Sequence, residues 1–354
     1  MLQYMSTKEA AEKWKISQRR VSILCAEGRI EGVAMLGNMW IIPRDAEKPE
    51  DARMTRSVSP KEVHPFVKWA GGKSQVLETL QKNLPQGLGE SVDKYAEPFV
   101  GGGALLFALL GQYHFKEVYV NDNNKELMNA YETIKTAPEK LILKLKEMQE
   151  DYNGLNEEGQ QAYYYDMREE FNQISLSEKT AVKKAALFLF LNKTCFNGLY
   201  RVNKSGKFNV PAGKYKNPLI CDEENIRKIS AAIQNVTVRA CHYTDVLNFA
   251  DENTFVYFDP PYRPLSKTSG FTAYGDDGFT DKDQKELADL YKTLAGKGVK
   301  VMLSNSDPKN IDETDNFFDE LYADFTIQRI HAVRMINSDA KKRGNLTELL
   351  ITNY

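Results

Sequence analysis

The chain has 354 residues, with 47 Lys and Arg against 49 Asp and Glu, for a formal net charge of -2. That length exceeds one small module and leaves room for a large catalytic domain with an appendage. A hydrophobic share of 42% is that of an ordinary soluble globular protein, and no apolar run reaches membrane-spanning length. A near-neutral chain is no polycation, so any attraction to nucleic acid must come from local basic patches. The start Met1-Leu2-Gln3-Tyr4 runs straight into charged sequence and lacks the pattern of a signal peptide. Cys25, Cys195, Cys221 and Cys241 stand far apart, with no C-x-x-C pair, and read as free thiols in a reducing compartment, the cytoplasm. None of His64, His114, His242 and His331 has a second His at ligand spacing, so no metal site is expected.

Residues 1–45 read as a small separate unit. Ser6 or Thr7 can cap a helix carrying Ala10, Ala11 and Trp14 on one face. Lys15-Ile16-Ser17 reads as a turn, and a second helix from Gln18 ends at Gly28. Two short apolar runs, 33–35 and 39–42, flank Gly37-Asn38 in a hairpin pattern. Two helices and a hairpin wing make a winged helix-turn-helix. The stretch resembles the small DNA-binding domains of the excisionase and MerR-like families, in Ser6-Thr7-Lys8-Glu9-Ala10-Ala11, Ile16-Ser17, Val21 and Gly28-Arg29-Ile30. The second helix opens with Arg19 and Arg20, where a recognition helix meets phosphates or base edges. The competing reading is a docking or dimerisation module with a solvated basic face. Residues 46–62, rich in Pro, Ser and charge, read as a linker.

From Phe66 onward strands and helices alternate, the pattern of an α/β fold with a mostly parallel sheet. Trp69 and Lys73 lie in Lys68-Trp69-Ala70-Gly71-Gly72-Lys73; by themselves they could be a core Trp and a surface Lys. A short strand at 92–95 leads into Glu97-Pro98-Phe99-Val100-Gly101-Gly102-Gly103, and the glycines open the helix Ala104–Leu110. Such a turn lets a ligand approach the backbone, although a lone glycine-rich turn is weak evidence. The strand 117–120 then ends in Asn121-Asp122, an acid about 20 residues after the glycines, which suits a ribose diol. No Gly-Lys-Ser/Thr follows the loop, so a nucleoside cofactor fits better than a phosphate. A helix follows at 124–134, and residues 139–191 are mostly helical by periodicity.

The segment 192–217 has six basic residues and no Asp or Glu, with Phe196, Tyr200, Phe208 and Tyr215 interleaved, which suits a loop in a DNA groove or, more plainly, a solvated basic loop. Further strands are expected at 236–240, 254–258 and 299–303. Ligands of such sheets bind beyond the carboxyl ends of the strands. There, directly after Thr254-Phe255-Val256-Tyr257-Phe258, stands Asp259-Pro260-Pro261-Tyr262. Asp259 offers a carboxylate acceptor and Pro260 a carbonyl in a rigid loop, the pair needed to draw the delocalised lone pair of an aromatic amine back onto nitrogen. Tyr262 can stack on a base pulled out of a duplex. Asp-Pro-Pro alone also fits a plain proline turn with a capping Asp.

From about Phe66 onward these motifs, in this order, resemble the Dam-like DNA adenine-N6 methyltransferases. The resemblance implies a Rossmann-like methyltransferase domain over 63–354 with an inserted, mainly helical target-recognition region at 139–220. It implies S-adenosylmethionine as cofactor, held by Trp69, Lys73, Glu97, Pro98, Phe99, Gly101, Gly103, Asp122, Asp245 and Asp259, with Lys73 facing the cofactor carboxylate. It makes Asp259, Pro260, Pro261 and Tyr262 catalytic, and double-stranded DNA the partner. The family's GATC readers carry a block like Phe196-Asn197-Gly198-Leu199-Tyr200-Arg201, then Phe208-Asn209-Val210-Pro211 and Gly213-Lys214-Tyr215. GATC is therefore the expected target, with Asn197, Leu199, Arg201, Asn203, Pro211 and Tyr215 on DNA and Arg201 reading guanine. Residues 263–280, with Phe271, Tyr274 and Phe279, are expected to order over the flipped base. A cognate restriction endonuclease and a solitary enzyme are both compatible with the sequence. Two rival readings remain: a DNA-binding regulator on a degenerate scaffold, and amino-methylation of cytosine N4, RNA adenine or protein glutamine, although the glutamine enzymes usually carry Asn in place of Asp259.

Overall fold

The computed structural model describes residues 4–14, 16–26, 30, 32–37, 39–48, 63–73, 76–263, 279–332 and 346–354. The chain divides into two compact units, Met1–Glu62 and Val63–Tyr354.

In the first unit, strand β1 (Tyr4–Ser6) leads into helices α1 (Thr7–Trp14) and α2 (Gln18–Ala26), followed by β2 (Ala34–Leu36) and β3 (Met39–Pro43). Ser6 starts α1 with a reciprocal cap: its Oγ accepts the Glu9 amide at 3.3 Å, and its own amide donates to the Glu9 carboxylate at 2.8 Å. Ala10, Ala11 and Trp14 on one face of α1 pack with Val21, Leu24 and Cys25 of α2 in a small core. The hairpin β2–β3 forms at the expected place. Strand β1, not expected from the sequence, pairs antiparallel with β3 and sets Met5 opposite Ile42, both buried. The proposed stop at Gly28 and turn residue Lys15 lie outside the described residues, as does nearly all of the linker.

The second unit is built on a seven-stranded sheet. Its strands are β4 (Lys94–Glu97), β5 (Glu117–Asn121), β6 (Val236–Arg239), β7 (Thr254–Phe258), β8 (Lys300–Ser306), β9 (Thr326–Ala332) and β10 (Leu346–Thr352), in spatial order β6-β5-β4-β7-β8-β10-β9. The first five in that order are parallel, and β10 runs antiparallel to both β8 and β9. All five residues of β7 are buried because both faces of the sheet are covered, which is why the strand reads as an unbroken apolar run. Successive connections go from β4 to β5 on one side, while β7 lies on the other. The carboxyl end of β4 is therefore the switch point where such sheets bind ligands.

Helices α3 (Leu77–Lys82), α4 (Ala104–Leu110) and α5 (Lys125–Thr136) precede the inserted helices α6 (Pro138–Asn153), α7 (Glu157–Gln173) and α8 (Ala181–Thr194); α9 (Glu223–Ala232), α10 (Asp281–Gly296) and α11 (Phe317–Leu321) follow. Helix α8 is buried almost all round, Lys184 and Asn192 included. Lys184 is satisfied by the carbonyls of Phe171 and Ile174 at 2.6 and 3.0 Å, so its charge is capped by the end of α7. Among the described residues no helix is long and apolar enough to cross a membrane, and no group of His, Cys, Asp and Glu could hold a metal ion.

Candidate active site

Four adjacent parallel strands deliver the candidate residues to one edge of the sheet. Glu97, Pro98 and Phe99 follow β4, Asp122 follows β5, Asp245 lies in the short 3-10 helix Tyr243–Asn248 after β6, and Asp259 follows β7. Asn121 ties three of these ends together. Its buried amide donates to the carbonyls of Pro98 (3.2 Å) and Cys241 (3.0 Å) and accepts the Cys241 amide (2.8 Å).

The glycine loop is held in a shape that side chains resist. Gly101 and Gly103 have φ of 48° and 72°, in the left-handed region. A Cβ on Gly101 would stand 2.7 Å from the Trp69 ring, and one on Gly103 would stand 2.5 Å from the Tyr131 hydroxyl. Trp69 thus lies against the bare backbone of the loop while stacking on Tyr200 at 5.6 Å, with ring planes 26° apart. Asp122 accepts the amides of Gly101 (3.2 Å) and Asn124 (2.9 Å). Burial raises its pKa to about 6 against the pull of those amides. Asp245 accepts the Tyr119 hydroxyl at 3.0 Å and the Asn248 amide at 3.0 Å, bonds that hold its carboxyl below the usual range. Phe99 stacks on Tyr243 at 5.1 Å. A run of backbone free of side chains, two acids at strand ends and an aromatic wall suit a nucleoside with a diol and a flat base.

Glu97 is closed off from solvent at that edge. Its side chain is buried, takes the Tyr95 hydroxyl and the Leu106 amide, and so holds the first turn of α4; burial pushes its pKa up to about 8. The sequence places it among the cofactor contacts; in the structure its carboxyl is buried on Tyr95 and close enough to Asp259 for the two charges to repel.

Around Asp259 the polar groups are tightly linked. Lys73, 7% exposed, pairs with Asp259 Oδ1 at 2.8 Å, donates to the Tyr262 hydroxyl at 2.7 Å and reaches the Gly71 carbonyl at 3.1 Å. Its three donors are thereby used, and the carboxylate it meets is the protein's own. Ser304 donates to the same Oδ1 at 3.2 Å and is held by Tyr257 at 2.7 Å. Burial raises the pKa of Asp259, and Lys73 opposes that rise. Among the described residues no donor reaches Asp259 Oδ2 or the Pro260 carbonyl, and Asp259 keeps 20% of its side chain open. Pro260 is buried, and the carbonyl of exposed Pro261 takes the Gln284 amide at 3.2 Å. The Tyr262 hydroxyl donates a hydrogen bond to Glu348 Oε2 at 2.8 Å. Ser304 and Glu348 escaped the sequence reading. Ser304 was within reach of it, since Ser304-Asn305-Ser306-Asp307 closes an apolar strand as Asp259 does. Glu348 had no signal, being a lone acid inside a strand.

After α8 the chain makes a 3-10 turn, Phe196–Gly198, with Asn197 at φ 58°, and a small hairpin bridging Val202 and Phe208. Asn203 caps that hairpin by accepting the amides of Ser205 and Lys207 at 3.0 Å each. Arg201 is exposed, and its Nε donates to Asn209 at 2.8 Å. Leu199 and Pro211 are also exposed, the Pro211 carbonyl accepting the Phe196 amide at 2.9 Å; Tyr215 lies under the Lys68 ammonium at 5.2 Å. Buried Asn192 locks this loop to the Lys68–Lys73 segment, exchanging two 2.9 Å bonds with the Lys68 backbone and reaching the Gly198 carbonyl at 3.0 Å. In the first unit Arg19 is exposed and Arg20 half-buried. Residues 264–278, with Phe271 and Tyr274, lie outside the described residues; Phe279 meets Phe99 edge-on at 5.8 Å.

Comparison with known proteins agrees with this geometry. Residues 69–336 match the family model of the D12 class N6 adenine-specific DNA methyltransferases. A Methanocaldococcus jannaschii protein named type II methyltransferase M.MjaIII is 48% identical over 295 residues, 83% of this chain and 100% of its own length. The Lactococcus lactis type II methyltransferase M1.LlaDCHI is 40% identical over 82% of this chain and 96% of its own. A Vibrio cholerae DNA adenine methylase is 34% identical over the same shares, 82% and 96%. With the switch-point site and its Asp-Pro-Pro-Tyr edge inside the matched span, the chain belongs to the D12 class of N6 adenine-specific DNA methyltransferases.

Proposed function

We propose that the protein methylates N6 of adenine within GATC in double-stranded DNA, using S-adenosylmethionine, with the target adenine rotated out of the helix. Asp259 carries this conclusion: an ionisable carboxylate at the end of β7 whose donors, among the described residues, reach Oδ1 alone, beside a Pro260 carbonyl that no described donor reaches. Those two acceptors suit the two N–H bonds of an adenine amine. Taking both draws the lone pair toward the nitrogen and makes it nucleophilic, with no covalent enzyme intermediate. Lys73 favours the ionised form of Asp259, while burial raises its affinity for the proton that the methylated amine sheds. The Tyr262 ring supplies a stacking face for the base.

Members of this family normally use S-adenosylmethionine, whose sulfonium supplies an electrophilic methyl group when bound. Asp122 would hold the ribose hydroxyls, Asp245 the adenine, and Phe99, Trp69, Pro98 and the loop Gly101–Gly103 the walls of the pocket. For the target sequence, Arg201 offers an exposed guanidinium whose Nε is anchored by Asn209, leaving its terminal nitrogens to bond both guanine acceptors. Asn197, Leu199, Asn203, Pro211 and Tyr215 border the same loop. We read the first unit as a winged helix-turn-helix, with Arg19 and Arg20 on its DNA-facing helix.

The test is tritium transfer from labelled S-adenosylmethionine to duplexes with GATC, with scrambled GATC, and with GATC carrying N6-methyladenine. Transfer to unblocked GATC alone, lost in Asp259→Ala, is expected. Transfer to every unblocked duplex would remove the GATC assignment, and label on cytosine would overturn the N6 assignment. No transfer from protein that binds DNA would favour a regulator.

A further inference from the structure

Glu348 stands outside the motifs that define the site. It lies on β10, the antiparallel strand, opposite Ser306 of β8, and is only 8% exposed. On the same face of β8, Ser304 holds Asp259 and Ser306 donates to the Arg263 carbonyl at 3.0 Å. The antiparallel strand therefore brings a second carboxylate to the pocket floor. A phenol has one proton to give. Tyr262 gives it to Glu348 Oε2 at 2.8 Å, which turns its lone pairs toward the Lys73 ammonium at 2.7 Å. Lys73 carries the chain onward to Asp259 Oδ1 at 2.8 Å. Lysine is donor-only, so it cannot accept the phenol's proton, and the direction of the whole relay is set at its far end.

We propose that Glu348 is a positioning residue for methyl transfer: by accepting the Tyr262 hydroxyl it orients the Tyr262 ring and, through it, the Lys73 ammonium against Asp259. The proposal rests on the reading of Tyr262 as the face on which the target base stacks. Without Glu348 the hydroxyl loses this acceptor, the ring is free to turn, and Lys73 loses one of its three fixed partners.

The test is a double-mutant cycle of Glu348→Ala and Tyr262→Phe in the full chain, read as kcat and as KM for DNA and for the cofactor, with Glu348→Gln alongside. Glu348→Ala should lower kcat roughly tenfold or more, with KM for the cofactor little changed. In the Tyr262→Phe background its further loss should be well below the loss it causes alone, because both changes remove the Tyr262–Glu348 bond. Glu348→Gln, whose amide oxygen still accepts the phenol, should recover most of kcat. A duplex with 2-aminopurine at the target position gives a second readout: the fluorescence rise seen with wild type should be reduced with Glu348→Ala and regained with Glu348→Gln. Losses that multiply in the double variant, or a Gln variant as slow as Ala, would overturn the proposal. A flat signal from wild type that still methylates DNA would instead overturn the stacking reading of Tyr262.

Discussion

Replacing the three glycines after β4 by alanine, one at a time, separates their roles by amounts that follow from the local geometry. At Gly101 and Gly103 the backbone is left-handed, which costs a Cβ about 1–2 kcal/mol. The new methyl at Gly103 would also sit 2.5 Å from the Tyr131 hydroxyl and 3.1 Å from the Phe107 ring. Both side chains are buried and neither can withdraw, so overpacking adds about 1–3 kcal/mol. Gly103→Ala should therefore lose roughly 2–5 kcal/mol of folding free energy. At Gly101 the obstacle is Trp69, 2.7 Å away and only half-buried, which can swing aside by giving up its stack on Tyr200. Gly101→Ala should show a smaller stability loss and a larger loss of S-adenosylmethionine affinity. Gly102 has no left-handed φ, and its nearest neighbours to a Cβ lie at 3.5 Å, ordinary contact, so Gly102→Ala should stay within about 0.5 kcal/mol of wild type. Urea denaturation and titration calorimetry with the cofactor give both quantities. Equal losses at all three positions, or the largest at Gly102, would refute the reasoning.

Lys73→Met removes the cation that keeps Asp259 ionised, so the acid limb of the kcat/KM profile should move to higher pH; an unmoved limb would show that Asp259 does not set it. Glu97 ionises near 4.5 when unfolded and near 8 when folded, so the folded state holds a proton that the unfolded chain lacks between those values. Its contribution to stability is complete below about pH 4.5 and is lost as pH rises to about 8. Glu97→Gln should flatten that part of a stability–pH curve measured by urea denaturation. Arg201→Ala should relax discrimination against other bases at the first position by about 1–3 kcal/mol, read as kcat/KM ratios on substituted duplexes. Asn192→Ala unties the loop after α8 from the Lys68–Lys73 segment, and should weaken DNA binding and cofactor binding together in parallel titrations.

The parallel strands were legible in the sequence because each is an apolar run ending in polar residues: 254–258 before Asp259, 117–120 before Asn121-Asp122. The helices of the insert showed through their periodicity. The antiparallel end of the sheet did not show. β9 mixes Gln328, Arg329 and His331 into its run as an outer strand can, and β10 carries Glu348 where the sheet expects an apolar side chain. Local pattern fails where a strand carries a buried charge. Lys73 was found through its motif, but its partner was not. Nothing within the motif tells that a lysine 186 positions before Asp259 in the sequence lies 2.8 Å from it in space. The inward turn of Glu97 was equally hidden, since the same acid at a strand end can face a ligand or cap the next helix.

The strand order has a consequence for how the protein is made. β10 follows β9 in the chain but lies inside it in the sheet, between β9 and β8. While a ribosome is still adding residues before 346, β9 has no neighbour to pair with and β8 shows a bare edge, a template for the wrong strand. Synthesis of β10 closes the gap from both sides and in the same step brings Glu348 to Tyr262. A nascent chain that has not yet formed β10 has therefore not brought Glu348 to Tyr262 either.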